Sequence, residues 1–86
     1  MEVNFYGDAV KDLTFWKKSG NVAVQKKLKQ LFKAIMKNPY EGIGKPEALK
    51  YDLSGKWSRR INEEHRLVYE VTEEEIKIYS LRRHYL

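Results

Sequence analysis

The hydrophobic period of this chain changes once, and that change dictates what it can fold into. Between Asn21 and Lys37, residues Val24, Leu28, Leu31, Phe32 and Ile35 recur at three- and four-residue intervals, which puts them on one stripe of an α-helix. Lys26, Lys27, Lys29, Lys33 and Lys37 fall largely off that stripe. Asn38-Pro39 ends the helix, because proline disfavours helical backbone in the residue before it. Pro39, Gly42, Gly44 and Pro46 mark a loop over 38–48, and beyond it the period becomes two. Leu49, Tyr51 and Leu53 alternate with Lys50 and Asp52, the pattern of a half-buried strand. Ser54-Gly55 reads as a turn, 57–62 and 65–71 as second and third strands, and 76 to about 81 as a fourth.

Upstream, residues 2–6 read as a strand. Asp8 is placed to cap a helix running to Ser19, with Ala9, Val10, Leu13 and Trp16 on one face. Gly20 suits the end of that helix and Asn21 the start of the next. The order strand, helix, helix, four-strand antiparallel meander predicts a two-layer α+β fold, with both helices packed on one face of the sheet and the other face open. No repeat, linker or low-complexity tract divides residues 1–86, so a single domain is expected.

The absence of cysteine rules out a disulfide framework and thiolate-ligated metal sites, and two histidines are too few for most histidine-rich ones. No apolar run approaches the roughly 20 residues a membrane span needs. The opening Met1-Glu2-Val3-Asn4-Phe5 lacks a secretory pattern. The expectation is a soluble, cytoplasmic domain that makes no membrane contact.

Charge is unevenly placed. Residues 1–40 hold eight lysines, no arginine and three acids, a surplus of five positive charges, whereas residues 41–86 are balanced. The five arginines, Arg59, Arg60, Arg66, Arg82 and Arg83, all lie in the second part. Lysine is a mobile point charge; arginine is a rigid fork that grips phosphate through two hydrogen bonds. The lysines fit either a diffuse attractor for polyanions or an ordinary solvated helix face. The arginines fit phosphate contacts or surface pairs with Glu63, Glu64 and Glu73 to Glu75.

Strand parity sorts these groups. Leu67, Tyr69 and Val71 share a face, so Arg66 points the other way, onto the open side. Arg60 lies opposite Trp57 and Ile61 and can share that side. Arg59 has the parity of Trp57 and Ile61, and Trp57 suits core or interface better than a stacking platform. His65 has the parity of Leu67, which makes it a structural histidine at a strand end. His84 stands instead among Arg82, Arg83 and Tyr85. Cleavage of RNA without a metal needs a base for the 2′-hydroxyl, an acid for the leaving oxygen and a cation for the phosphorane. Glu47, one of Arg59, Arg60 or Arg66, and a histidine supply those types, although composition alone does not single them out.

The runs Gly44-Lys45-Pro46-Glu47-Ala48-Leu49-Lys50, Leu53-Ser54-Gly55-Lys56-Trp57-Ser58-Arg59-Arg60-Ile61, Glu63-Glu64-His65-Arg66-Leu67-Val68-Tyr69 and Arg82-Arg83-His84-Tyr85 together strongly resemble the YoeB/Txe family. These are toxins of bacterial type II toxin–antitoxin systems, within the RelE-like superfamily. The resemblance implies a RelE-like sandwich and a ribosome-dependent endoribonuclease that cuts mRNA in the ribosomal A site. It implies Glu47 as general base, Arg66 as transition-state stabiliser and His84 as general acid, with no metal or other cofactor. Around them, Lys50, Arg59, Arg60, Arg82 and Arg83 are expected to contact RNA phosphates and Tyr85 to stack on a base. The expected partners are the ribosome with its mRNA, a YefM-type antitoxin whose C-terminal segment covers the site, and a second copy in a homodimer. Leu86 extends past the family's usual terminal tyrosine. An alternative within the superfamily is a RelE/ParE-like toxin or binding module that blocks another target without cutting RNA. The presence of Glu47, Arg66 and His84 together disfavours that alternative.

Overall fold

Local chemistry sets the two helices. A computed structural model of the chain describes residues 1–83. Helix α1 spans Ala9–Ser19 and α2 spans Val22–Lys37. Gly20, in the left-handed region at φ 73°, lets the chain reverse between them. Asn21 then caps α2, its Oδ1 accepting from the Val24 N–H at 3.1 Å. Asp8 holds the corresponding place before α1, but its side chain makes no capping bond. The buried residues of α1 are Ala9, Asp12 and Trp16. Val10, expected on that face, is 57% exposed. Asp12 takes its place because it lies three residues after Ala9 and four before Trp16, on the same stripe.

Five strands form one sheet: β1 (Glu2–Phe5), β2 (Glu47–Ala48), β3 (Trp57–Arg60), β4 (Arg66–Val71) and β5 (Glu75–Ser80). Their spatial order is β1-β5-β4-β3-β2. Strands β2 to β5 form the antiparallel meander that the alternation predicts, and β1 joins it in parallel at the edge of β5. The meander begins earlier than Leu49, Tyr51 and Leu53 suggest. Only Glu47 and Ala48 pair with β3, and the Leu49 N–H closes onto the Lys56 carbonyl at 2.9 Å. Residues 50–55 must therefore make the connection, and Tyr51–Leu53 form a single 3₁₀ turn. Tyr51 is left at φ 58° and 91% exposed. The alternation there reflects one buried leucine, Leu49, and one half-buried leucine, Leu53, rather than a strand.

Leu67 and Tyr69 of β4 and Ile76 and Ile78 of β5 face the helices. There they meet Trp16 and the α2 stripe of Val24, Leu28, Leu31 and Ile35. Each such side chain contributes about 1.5–3 kcal/mol by leaving water. Phe5 closes the β1 end against Phe32, ring centroids 5.8 Å apart and nearly perpendicular.

Arg59 is fully buried on this same face. Its guanidinium donates to the carbonyls of Asn38 (2.7 Å), Glu41 (2.9 Å) and Ile43 (3.0 Å), and to the Tyr69 hydroxyl (3.2 Å). The Tyr69 hydroxyl donates onward to the Pro39 carbonyl at 2.5 Å. Burial raises the Tyr69 pKa, and the neighbouring guanidinium opposes that shift. Arg59 is thus a tie for the 38–44 loop and not the phosphate contact expected of it: every acceptor it meets belongs to the protein. Gly44 completes the fit. It sits at φ 84°, and a Cβ there would stand 2.8 Å from Leu31 Cδ2 and 3.1 Å from Arg59 Cβ. Replacing Arg59 with lysine, which cannot reach all these acceptors, is expected to lower stability by about 3 kcal/mol. Urea unfolding measures this, and a loss under about 1 kcal/mol would contradict the role.

Candidate active site

The sheet register sets the site. Glu47 pairs with Ser58 and Ser58 with Val68, while Arg60 pairs with Arg66. Because side chains alternate, Glu47, Arg60 and Arg66 share the face turned away from the helices. On ideal sheet spacings the Cα atoms of Glu47 and Arg66 are about 12 Å apart, a gap that a carboxylate and a guanidinium can close around one phosphate. Arg60 and Arg66 stand directly opposite on neighbouring strands. Like charges in that relation destabilise a sheet, so the pair favours an anion between them.

Arg66 is anchored from behind. Its Nη1 donates to the carbonyls of Asn62 (2.8 Å), Glu63 (3.2 Å) and His65 (3.1 Å). The Asn62 Oδ1 holds that turn by accepting from the N–H groups of Glu64 (2.9 Å) and His65 (2.8 Å). Among the described residues all the bonds of the guanidinium use Nη1, which leaves the Nε and Nη2 edge for an incoming acceptor.

Beyond β5 the chain is clamped. The Leu81 N–H donates to Asp12 Oδ2 at 2.9 Å, and the Leu81 carbonyl accepts from the Trp16 indole at 2.8 Å. The Arg82 guanidinium lies 3.6 Å over the Phe15 ring. The Arg83 N–H donates to His65 Nδ1 at 2.7 Å, and the Arg83 carbonyl accepts from the Arg66 N–H at 3.0 Å. His65, edge-on to Trp16 at 5.0 Å, has the structural role that its parity suggests. The clamp brings Arg83 alongside Arg66. His84, Tyr85 and Leu86 lie outside the described residues. Asp12 and Trp16 were not singled out as site residues in the sequence, although an aspartate between Ala9 and Trp16 on one apolar stripe was a usable signal.

Two grooves flank the site. One, of about 610 Å³, is lined by Glu47, Lys50 and Leu53. The other, of about 430 Å³, is lined by Lys11, Leu53, Lys56, Tyr79, Arg82 and Arg83 among others. Leu53 borders both, so they adjoin across the 3₁₀ turn. Lys50, Arg60 and Arg83 are exposed and Arg82 is half-buried. In the second groove the Tyr79 hydroxyl donates to Glu70 Oε1 at 2.7 Å, and this bond to a carboxylate pushes the Tyr79 pKa up to about 12. Among the described residues no cluster of three or more His, Asp or Glu could hold a metal ion. No helix there is long and apolar enough to cross a membrane.

Residues 5–85 match the family model described as YoeB-like toxin of bacterial type II toxin–antitoxin system. The chain belongs to the YoeB toxin family. The YoeB toxin of Escherichia coli K12 is 50% identical over 74 residues, covering 86% of this chain and 87% of that one. The solved YoeB–YefM complex from Staphylococcus aureus contains a chain 45% identical to this one, with a TM-score of 0.88 over 99% of this chain and 98% of that chain. The solved YoeB dimer from Staphylococcus aureus is 44% identical, with a TM-score of 0.89 over the same shares. The YoeB-like Gly-Lys-Pro-Glu run now has a structural basis. Gly44 packs under Arg59, its carbonyl accepts from the Arg60 N–H at 2.6 Å, and the chain then enters β2 at Glu47.

Replacing Asp12 with alanine leaves the buried Leu81 N–H unpaired. It is expected to cost about 1–3 kcal/mol in urea unfolding and to speed hydrogen exchange at Leu81 and Arg83. Tyr79 is expected to ionise near pH 12 by ultraviolet titration, and Glu70→Gln should return it toward the ordinary tyrosine value. Because the folded-state pKa is raised, this bond stabilises the fold fully below the unfolded tyrosine pKa. Its contribution is lost as pH rises through the folded value.

Proposed function

We propose that this YoeB-family toxin is a ribosome-dependent endoribonuclease that cuts mRNA in the A site and arrests translation. The observation that carries the reading is a carboxylate, Glu47, sharing one open sheet face with the opposed Arg60 and Arg66, while the chain is clamped beside Arg66 at Arg83, one residue before His84. Glu47 takes the proton of the 2′-hydroxyl as that oxygen attacks the adjacent phosphorus. Arg66 bears the charge that develops on the phosphorane oxygens. His84 gives its proton to the departing 5′-oxygen, so the products are a 2′,3′-cyclic phosphate and a 5′-hydroxyl. The chain's own acid, base and cation complete this sequence with no metal or cofactor. Lys50, Arg60, Arg82 and Arg83 hold neighbouring phosphates, and Tyr85 stacks on a base at the cut. The lysines of α2, with Lys17 and Lys18, dock ribosomal RNA, and that contact weakens steeply with added salt.

The Staphylococcus aureus relatives solved with YefM and as a dimer support two partners for this chain. One is an antitoxin of the YefM type whose acidic C-terminal segment folds over the arginine-bearing face and blocks the site. The other is a second copy of the toxin. A toxin acting on ribosomes in this way works in the cytoplasm.

Glu47→Gln and His84→Ala, assayed separately on ribosomes programmed with a defined mRNA, are each expected to lower the cleavage rate at least about a hundredfold. Undiminished cleavage in both would overturn the assignment. Growth arrest with intact transcripts would favour a toxin that binds without cutting.

A further inference from the structure

The open side of the sheet carries a structure that the catalytic trio does not use. Tyr6, just past β1, and Tyr79, on β5, stand with ring centroids 6.1 Å apart and planes tilted by 40°. Each ring carries an ammonium: Lys56 Nζ lies 4.9 Å from the Tyr79 centroid and Lys77 Nζ 5.4 Å from that of Tyr6. Each hydroxyl is pinned by a carboxylate. Tyr79 donates to Glu70 at 2.7 Å and Tyr6 to Glu75 at 2.6 Å, and Glu75 is itself steadied by Asn4 at 2.9 Å. The Tyr6 N–H extends the β1–β5 ladder by donating to the Ile78 carbonyl at 2.8 Å. The same device therefore occurs twice, side by side.

Neither ring is among the residues packed against the core, and Tyr6 is 38% exposed. Fixing two aromatic rings at the surface stabilises little by burial, and their arrangement suits a ligand with flat faces. We propose that Tyr79 and Tyr6 form a stacking platform for two successive bases of single-stranded RNA, with Lys56 and Lys77 holding the attached phosphates. This rests on the ribonuclease reading above and extends its substrate track past the cut. The grooves lead to the platform at Tyr79: Tyr79 and Lys56 line the groove that also contains Lys11, Arg82 and Arg83 and adjoins the Glu47 groove at Leu53, and Tyr6 stands next to Tyr79. A base that arrives on Tyr79 replaces the Lys56 ammonium over the ring, and the flexible lysine stem swings to the phosphate. Stacking of this kind tolerates any base, because every base has a π-face.

Charge chooses the occupant. Glu70 and Glu75 flank the rings and Asp8 lines the groove. An acidic peptide would set its carboxylates against these groups. A nucleobase is neutral where it meets the glutamates and carries its charge outward, toward the lysines and arginines.

The test is fluorescence anisotropy with the intact toxin and a labelled RNA hexanucleotide whose 2′-oxygens are methylated, so that it binds but cannot be cut. Tyr79→Ala and Tyr6→Ala are each expected to weaken binding about tenfold. Tyr79→Phe, which keeps the ring, should stay within about threefold of wild type. Lys56→Ala should reduce the slope of log affinity against log salt by about 0.7. Melting curves confirm that the variants are folded. Wild-type affinity in both folded alanine variants would overturn the platform. So would no binding by the wild type, or loss of affinity for an acidic peptide with RNA binding unchanged. If the platform variants weaken binding while the wild type fails to cut mRNA on ribosomes, the platform stands and the nuclease reading falls.

Discussion

The buried guanidinium of Arg59 is the constraint on which the rest depends. Removing such a charge from water costs several kcal/mol unless its donors are met. Here three loop carbonyls and a phenol meet them. The carbonyls come from Asn38, Glu41 and Ile43, in a segment with little regular structure of its own. The loop therefore takes the one shape that satisfies the arginine, and that shape sends the chain into β2 with Glu47 on the open face. A group that never touches substrate decides where the expected base stands.

Arg59 and Arg60 show how far residue type and residue position can diverge. They are neighbours of the same kind, yet one is fully buried and the other exposed. Alternation alone puts Arg59 on the core side. Its charge argues for the surface, and the reading that made it a phosphate contact followed the charge. What a single sequence could not display was the set of carbonyls waiting for it, because those lie 16 to 21 residues away in the chain. Asp12 has the same lesson. Its stripe was legible, but its partner, the Leu81 N–H, is 69 residues distant.

Most features governed by local periodicity were legible. The α2 stripe, the Asn21 cap, the Gly20 reversal and the meander all follow from spacings of two to four residues. Leu49 to Leu53 misled because a two-residue period over five residues does not separate a strand from a turn with two inward leucines. The face shared by Glu47, Arg60 and Arg66 was partly readable, since parity places Arg66 and Arg60 but not the register of β2. The two aromatic–lysine pairs were not legible at all. They depend on β1 lying beside β5 and on the register of β4 with β5, which shifts between Val68 and Tyr69, and neither leaves a local mark.

The position of β5 also governs how the molecule assembles. It is made long after β1, yet it is inserted between β1 and β4. Asn4 waits for Glu75, 71 residues later, before its end of the sheet has a neighbour. Until β5 arrives, β1 is an unpaired strand, Trp16 lacks the Leu81 carbonyl and Ile76 and Ile78 are missing from the core. Such distant pairings form late, because the chain must be brought together before the contacts repay it. Residues 75–80 are thus the segment that joins β1 to the rest of the sheet, and the five-stranded order closes only when they are in place.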